Sequence, residues 1–399
     1  MKMIEKYITI LEDLKAGKAK LSDFLYQERT DEEGHPYDQN STKRFQLLIA
    51  LQYNSNLRDE KTIVELFKSE IEKHRKAPFQ GLYPALKLNA FLISQYSNPN
   101  YTKLFLEAKQ ANFDTHCGFD YQFLVYTGIS QTYNLIEQEK TEIKKAFYDY
   151  IGESPKDCYI SESELTEWKK YLNEEYPDKL IINGILDEID LAIDLEETEI
   201  LKEKVEEWRY SKNSWTESEL NQLNYYKGIV KDISAQIWAN EELLKKKSSD
   251  WDCASQLQQL SQLLIQNNQF DQAWNRIEDS QKYLKGISDW KTVGLGRFMV
   301  ENAFDIVLGI GNQEDEIVKT AFNWGSTEVK RMKNLHHNLL EKVAKSGELM
   351  GDFKLRDKFY KTLKVEQEKL NQIMNPKETV QNTVYSKQGK SWFRKLLGI

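Results

Sequence analysis

The sequence predicts an all-α protein: an irregular array of antiparallel helical hairpins of the α-solenoid kind, or a multi-helix bundle. Three observations predict it. Glycine and proline together make up 25 of 399 residues, about half their usual share of roughly 12%. Sheet sandwiches, barrels and disordered linkers need far more turn-makers. Pro177 and Pro376 enclose 198 consecutive residues without a proline. Finally, Ser161-Glu-Ser-Glu164 and Thr216-Glu-Ser-Glu219 are capping boxes, in which hydroxyl and glutamate satisfy free helix N–H groups reciprocally.

Residues 3–16 and 20–28 carry the first helical patterns, followed by a polar loop from Thr30 to Asn40 with Gly34 and Pro36. Patterns resume over 41–54, 60–77, 84–97, 101–112 and 119–138. In 60–77, Ile63, Leu66, Phe67, Glu70 and Ile71 follow the helical i, i+3, i+4 spacing, with Glu70 the polar member. Pro84, Pro99 and Pro155 mark joints. The capping boxes open runs over about 161–176 and 216–247, and a further helix or helix pair fills 179–211. The expected organisation is an N-terminal helical domain over 1–155 and a long-helix region over 156–250. Helical hairpins over 251–375 and a basic tail over 376–399 complete it.

Sixty-three acidic against 55 basic residues give a net charge of −8. That balance disfavours general nucleic-acid binding, which needs clustered Lys and Arg, and favours a basic partner. Cys117, Cys158 and Cys253 are distant and odd in number, so no disulfide framework or zinc set follows from them. The longest apolar run, Leu47 to Leu51, falls far short of the roughly 20 residues of a membrane span. A soluble, cytoplasmic protein is expected, with no cofactor and no metal.

Residues 251–287 are the most informative. Leu257, Leu260, Ser261, Leu264 and Ile265 form one helix face, Asn268 turns the chain, and Phe270, Ala273, Trp274 and Ile277 open the next helix. This segment resembles a tetratricopeptide repeat, in which small residues such as Ser261 and Ala273 let two antiparallel helices approach. A second stretch, Leu340 to Leu363, resembles it less closely, with Gly351 at the turn and Arg356 in place of the small crossing residue. Asn268, Gly311 and Gly351 lie 43 and 40 residues apart, longer than the 34 of a regular array.

Several side-chain groups bear on chemistry. Asp114-Thr-His116-Cys117-Gly-Phe-Asp120 offers an acid–base, a nucleophile and orienting carboxylates at a helix joint, although Asp114 or Asp120 equally suits a helix cap. Arg331 through His336 and His337 fits the R-x(4–6)-H spacing of HEPN-type ribonucleases. That resemblance implies Arg331 and His336 acting on an RNA phosphodiester; Met332 departs from the polar residue usual there. Asp187, Asp190, Asp194 and Glu197 recur along one helix face as an acidic stripe. The glycine pairs at 294/296 and 309/311 lack the third glycine of a phosphate loop, and no Walker, H-E-x-x-H or G-x-S-x-G motif occurs. In the tail, Trp392 and Phe393 stand beside Arg394 and Lys395, an amphipathic basic segment suited to the acidic stripe of its own chain, a partner groove or weak membrane contact.

The reading that follows is a non-enzymatic helical repeat protein that binds another protein, as adaptor, regulator or toxin-neutralising immunity-type binder. Asp187, Asp190, Asp194, Trp274 and Trp392 to Lys395 are its candidate contacts. A helical ribonuclease using Arg331 and His336, and a peripheral membrane or assembly protein using the tail, are the alternatives.

Overall fold

The computed structural model describes residues 2–77, 80–333 and 335–374, and it is an all-α array. Among the described residues it holds 19 α-helices and one short β-hairpin. The chain divides into two compact units, the first ending at Trp208 and the second beginning at Arg209.

The first unit opens with α1 (Lys2–Lys15), which sets Ile4, Tyr7 and Leu11 on one buried stripe. The expected helix over 20–28 is only a single tight turn at Leu21–Asp23. The expected loop at 30–40 contains the hairpin β1 (Glu28–Thr30) and β2 (Pro36–Asp38), paired Glu28 to Asp38 and reversed through Gly34 at φ 86°. Then come α2 (Ser41–Tyr53), α3 (Glu60–Lys76), α4 (Pro84–Ser94), α5 (Thr102–Lys109) and α6 (Phe113–Gly118). The predicted helix over 119–138 breaks at Gly128, leaving a tight turn at Tyr121–Val125 and α7 (Ile129–Ile136). The unit continues with α8 (Thr141–Ile151), α9 (Glu162–Glu175) and α10 (Ile185–Asp194), and α11 (Thr198–Tyr210) runs to its boundary.

A buried cation ties the early part of this unit together. The Arg44 side chain on α2 is fully buried. Its Nε donates to Glu70 Oε1 at 2.6 Å, its Nη1 to the Phe24 carbonyl at 3.1 Å and its Nη2 to Asp38 Oδ2. One side chain thus joins α2, α3, β2 and the turn before β1. His74, one helical turn beyond Glu70, is also buried. Its Nδ1 donates to the Glu70 carbonyl at 2.7 Å while its Nε2 accepts the Tyr83 N–H at 3.2 Å, an arrangement that only neutral imidazole can make. Burial accordingly pushes its pKa below the ordinary 6.5.

The second unit is a succession of four helix pairs. They are α12 (Glu217–Ile229) with α13 (Ile233–Leu244), α14 (Asp250–Gln266) with α15 (Phe270–Leu284), α16 (Gly294–Ile310) with α17 (Glu316–Val329), and α18 (His337–Leu349) with α19 (Phe353–Met374). The single long run expected over 216–247 is therefore two helices. Lys231 at φ 58° breaks it, in a Schellman turn whose Asp232 N–H reaches the Lys227 carbonyl at 2.9 Å. Asn268, Gly311 and Gly351 take the left-handed conformation at the other three turns, as their residue types predict.

First helices stack on first helices: α14 packs on α16, and α16 on α18. Polar side chains fix each step. Asn240 of α13 donates to Asn224 of α12 at 2.8 Å and accepts from Gln256 of α14 at 2.6 Å. Asn302 of α16 donates to Ser261 of α14 at 2.6 Å, and Lys342 of α18 to Glu301 and Asp305 of α16 at 2.7 and 2.8 Å. Arg356 does not prevent close packing in the last pair, because the small residue sits on the other helix. A Cβ at Gly347 would lie 3.0 Å from the Arg356 nitrogen and 3.1 Å from the Asp352 carbonyl oxygen.

Two outcomes follow. Gly347→Val should destabilise the second unit by about 1–3 kcal/mol, since backbone rather than a flexible side chain must yield; chemical denaturation checks this. The His74 effect has a definite sign. Below pH 6.5 the unfolded chain protonates this histidine while the folded chain resists, so stability falls as pH drops. His74→Gln should flatten the dependence between about pH 7.5 and pH 5.5, measured as denaturation midpoints against the parent.

Candidate functional site

The His116 cluster is held by a short helix whose start is set by Asn112. Asn112 Oδ1 accepts the Thr115 N–H at 2.8 Å and Thr115 Oγ1 accepts the Asn112 N–H at 2.9 Å, a reciprocal box that fixes α6. His116 and Cys117 are thereby turned to solvent. His116 Nδ1 lies 2.7 Å from the Tyr150 hydroxyl of α8, with the rings 5.3 Å apart. Beneath them Lys109 is buried, its ammonium donating to the Phe119 carbonyl at 2.6 Å and lying 5.6 Å from the Tyr150 ring centre. Burial holds the Lys109 pKa below its usual 10.5 and raises that of Tyr150. Around this trio opens a cleft of about 530 Å³, lined further by Tyr121, Glu142 and Lys145.

The expected carboxylate orienters serve other partners. Asp120 holds Lys87 at 3.3 Å and the Trp168 indole N–H at 3.3 Å. Asn112 rather than Asp114 caps α6, and Asp120 stands at the start of the tight turn Tyr121–Val125 without a capping hydrogen bond from its side chain. His116 is thus paired with a phenol, which suits ligand hydrogen bonding more than general-base work.

The other sequence candidates are dispersed. Arg331 lies in the turn after α17, pairs with Glu328 at 3.5 Å and is largely exposed. His336 caps α18, accepting the Asn338 N–H at 3.4 Å, and its ring lies 3.9 Å from that of His337. No helical face joins Arg331 to His336, because the described residues between them, Met332, Lys333 and Leu335, are not helical. In the acidic stripe, Asp187 in the first turn of α10 accepts the N–H of Asn183, just before the helix, at 2.7 Å, and Glu197 receives Tyr7 and Lys6 from α1. Asp190 and Asp194 are its exposed members, and partial desolvation where the Asp194 carboxylate meets the surface, together with the charge of neighbouring Asp190, raises the Asp194 pKa. Trp274, a candidate contact, is 5% exposed and packs edge-on against Trp324 at 6.1 Å in the core, because the α15 face that carries it turns inward with Ala273 and Ile277. Trp392, Phe393, Arg394 and Lys395 lie outside the described residues.

A basic region escapes a reading based on whole-chain charge. Residues 330–374 hold 11 Lys and Arg against six Asp and Glu, a net +5, whereas residues 1–329 hold 39 against 56, a net −17. The signal lies in local composition, which the whole-chain charge averages away.

Among the described residues no group of three His, Cys, Asp or Glu is placed to hold a metal, and no helix is long and apolar enough to cross a membrane. No family model, curated protein or solved structure matches the chain.

The exposure of the thiols orders their reactivity. Under native conditions a thiol reagent should label Cys117 first and Cys158 more slowly, with Cys253 reacting only on unfolding. Mass spectrometry of timed labelling reads the order.

Proposed function

We propose that this chain is a non-enzymatic, tetratricopeptide-like helical repeat protein of the cytoplasm that binds another protein through its second unit. The observation that supports this reading is the succession of hairpins from α12 to α19, in which α13 packs on α14 and the first helices then stack, α14 on α16 and α16 on α18. Such stacks present extended surfaces along their helices. Large aromatic side chains stand exposed on successive first helices: Tyr225 on α12, Trp251 on α14 and Phe298 on α16 are 60%, 45% and 52% exposed. Exposed rings of this size are the side chains that anchor interfaces. The polar couplings at Asn240, Ser261 and Lys342 hold the register between hairpins, so the surface is presented in one arrangement.

Residues 209–329, which carry α12 to α17, hold 17 acidic and 13 basic side chains, and that balance favours a basic partner at those helices. Adaptor, regulator and toxin-neutralising roles share this chemistry. No contact among the described residues favours ribonuclease chemistry at Arg331 and His336 over simple exposure, and none bears on membrane contact through the tail.

Affinity purification from the native cell should recover a near-stoichiometric protein with the parent chain. Combined Trp251→Ala and Phe298→Ala should reduce that recovery at least tenfold while leaving the melting temperature near the parent's. Recovery of no protein partner, or recovery indifferent to both substitutions, overturns the reading.

A further inference from the structure

Asp38, one of the two carboxylates that hold Arg44, also borders a cavity of about 390 Å³ in the first unit. Lys73 of α3 and Ser41, the first residue of α2, lie in its walls with the rings of Tyr26, Tyr37 and Tyr83. Lys73 is half-buried; its Nζ donates to Ser41 Oγ at 2.6 Å and lies 4.0 Å from the centre of the Tyr83 ring. Among the described residues it forms no ion pair with a carboxylate. The nearest acids are engaged elsewhere: Glu70 and Asp38 hold Arg44, and Glu196 accepts the Thr42 hydroxyl at 2.9 Å. Burial, with the Arg44 guanidinium close by, keeps the Lys73 pKa below the usual 10.5 against the opposing pull of those three acids. Lys76, also at the cavity wall, is the ordinary case, exposed and paired with Glu28 and Glu72 at 3.6 Å each. A lysine held away from carboxylates and partly dried beside a fixed cation has the surroundings in which lysines become nucleophiles, because more of it is free amine.

We infer that Lys73 is a covalent capture site for a small, uncharged aromatic aldehyde, which it binds as an imine. The Nζ lone pair forms a bond to the carbonyl carbon while the C=O π pair moves onto oxygen. That oxygen then leaves as water, taking the two amine protons, and a C=N bond replaces the C=O bond. The step needs no oxidant, reductant or further reactant. Ser41 is placed to assist it, since a hydroxyl that accepts from Lys73 can at the same time donate its own proton to the carbonyl oxygen as charge builds there. The walls select the partner. Three tyrosine rings offer faces to a flat apolar molecule. Asp31 and Glu196 at the same walls disfavour an anion, and with it phosphorylated carbonyl compounds and acyl phosphates. A volume of about 390 Å³ is that of a small-molecule site. The inference is independent of the protein-binding reading, because the cavity belongs to the first unit and that reading to the second.

The test exposes the full-length chain briefly, near neutral pH, to benzaldehyde with cyanoborohydride, which reduces an imine to a stable secondary amine. Peptide mass spectrometry then reads the labelled positions. Lys73 should be benzylated at least about fivefold faster than Lys68 and Lys76 of the same helix, both exposed and ion-paired. In denaturant the three rates should become equal. Acetaldehyde, which has no ring to place, and 4-carboxybenzaldehyde, which carries a negative charge, should each show a smaller preference for Lys73. An excess of benzyl alcohol, similar in shape but unable to condense, should slow Lys73 and leave Lys68 unchanged. Labelling of Lys73 no faster than that of Lys68 and Lys76 in the native chain overturns the inference. So does a preference for Lys73 that is equal with acetaldehyde and indifferent to benzyl alcohol, since the amine would then react without the cavity choosing its partner.

Discussion

Helices of 8 to 17 residues, as most of these are, cannot bury an apolar face alone, so each must be folded back on a neighbour. The reversal depends on one residue leaving right-handed backbone space. In the second unit those residues are Lys231, Asn268, Gly311 and Gly351, all with φ between 57° and 71°. In the first, Glu196 at φ 54° does the same between α10 and α11, with the Glu197 N–H reaching the Ala192 carbonyl at 2.8 Å. Once the backbone is turned this way, the carbonyls ending one helix are satisfied by the N–H groups of the turn, and the next helix starts alongside. The hairpin stack follows from that local constraint repeated.

Apolar packing makes the stack cohere but does not by itself fix the order in which faces meet. Polar side chains carry that information in both units. Arg44 sits between Asp38 and Glu70 with no solvent contact, and such a buried cation is tolerated only where its partners are in place. The same logic governs the amides linking α12, α13 and α14, and Lys342 bridging α16 and α18. Misregistered hairpins would leave these groups unpaired in a dry interior, at a cost of about 1–3 kcal/mol for each neutral group. Glu70 Oε2 lacks a hydrogen-bond partner even in the native arrangement, so at that carboxylate satisfaction is incomplete.

Much of this was legible in the sequence where residue type and backbone need coincide. Ser161 and Thr216 cap helices as their capping boxes predict, and Asn268, Gly311 and Gly351 turn where glycine and asparagine are expected to. Lys231 and Glu196 were not legible, since neither residue type advertises a left-handed conformation; tertiary packing imposes it. The same gap explains the helix read across 216–247. Trp274 looked like an interface anchor because sequence shows a large ring but not which way its helix faces. Close approach in the last pair rests on Gly347 of the first helix, whereas the repeat pattern draws attention to position 356 on the second. Around His116, sequence adjacency suggested carboxylate partners, while the fold supplied Tyr150 from 34 residues away.

Net charge is the property that averaging hides most. Within the second unit, residues 209–329 carry 13 bases and 17 acids, while 330–374 carry 11 and six. Stacked helices are spaced about 8–10 Å apart, and charges are screened over roughly 8 Å at physiological salt. A ligand at the last hairpin therefore responds to that hairpin's lysines far more than to the acids near α12. A hairpin array can on this account carry faces of opposite sign without mutual cancellation, because each added hairpin moves its charges about one screening length further along. An overall −8 consequently says little about the charge that any one hairpin presents.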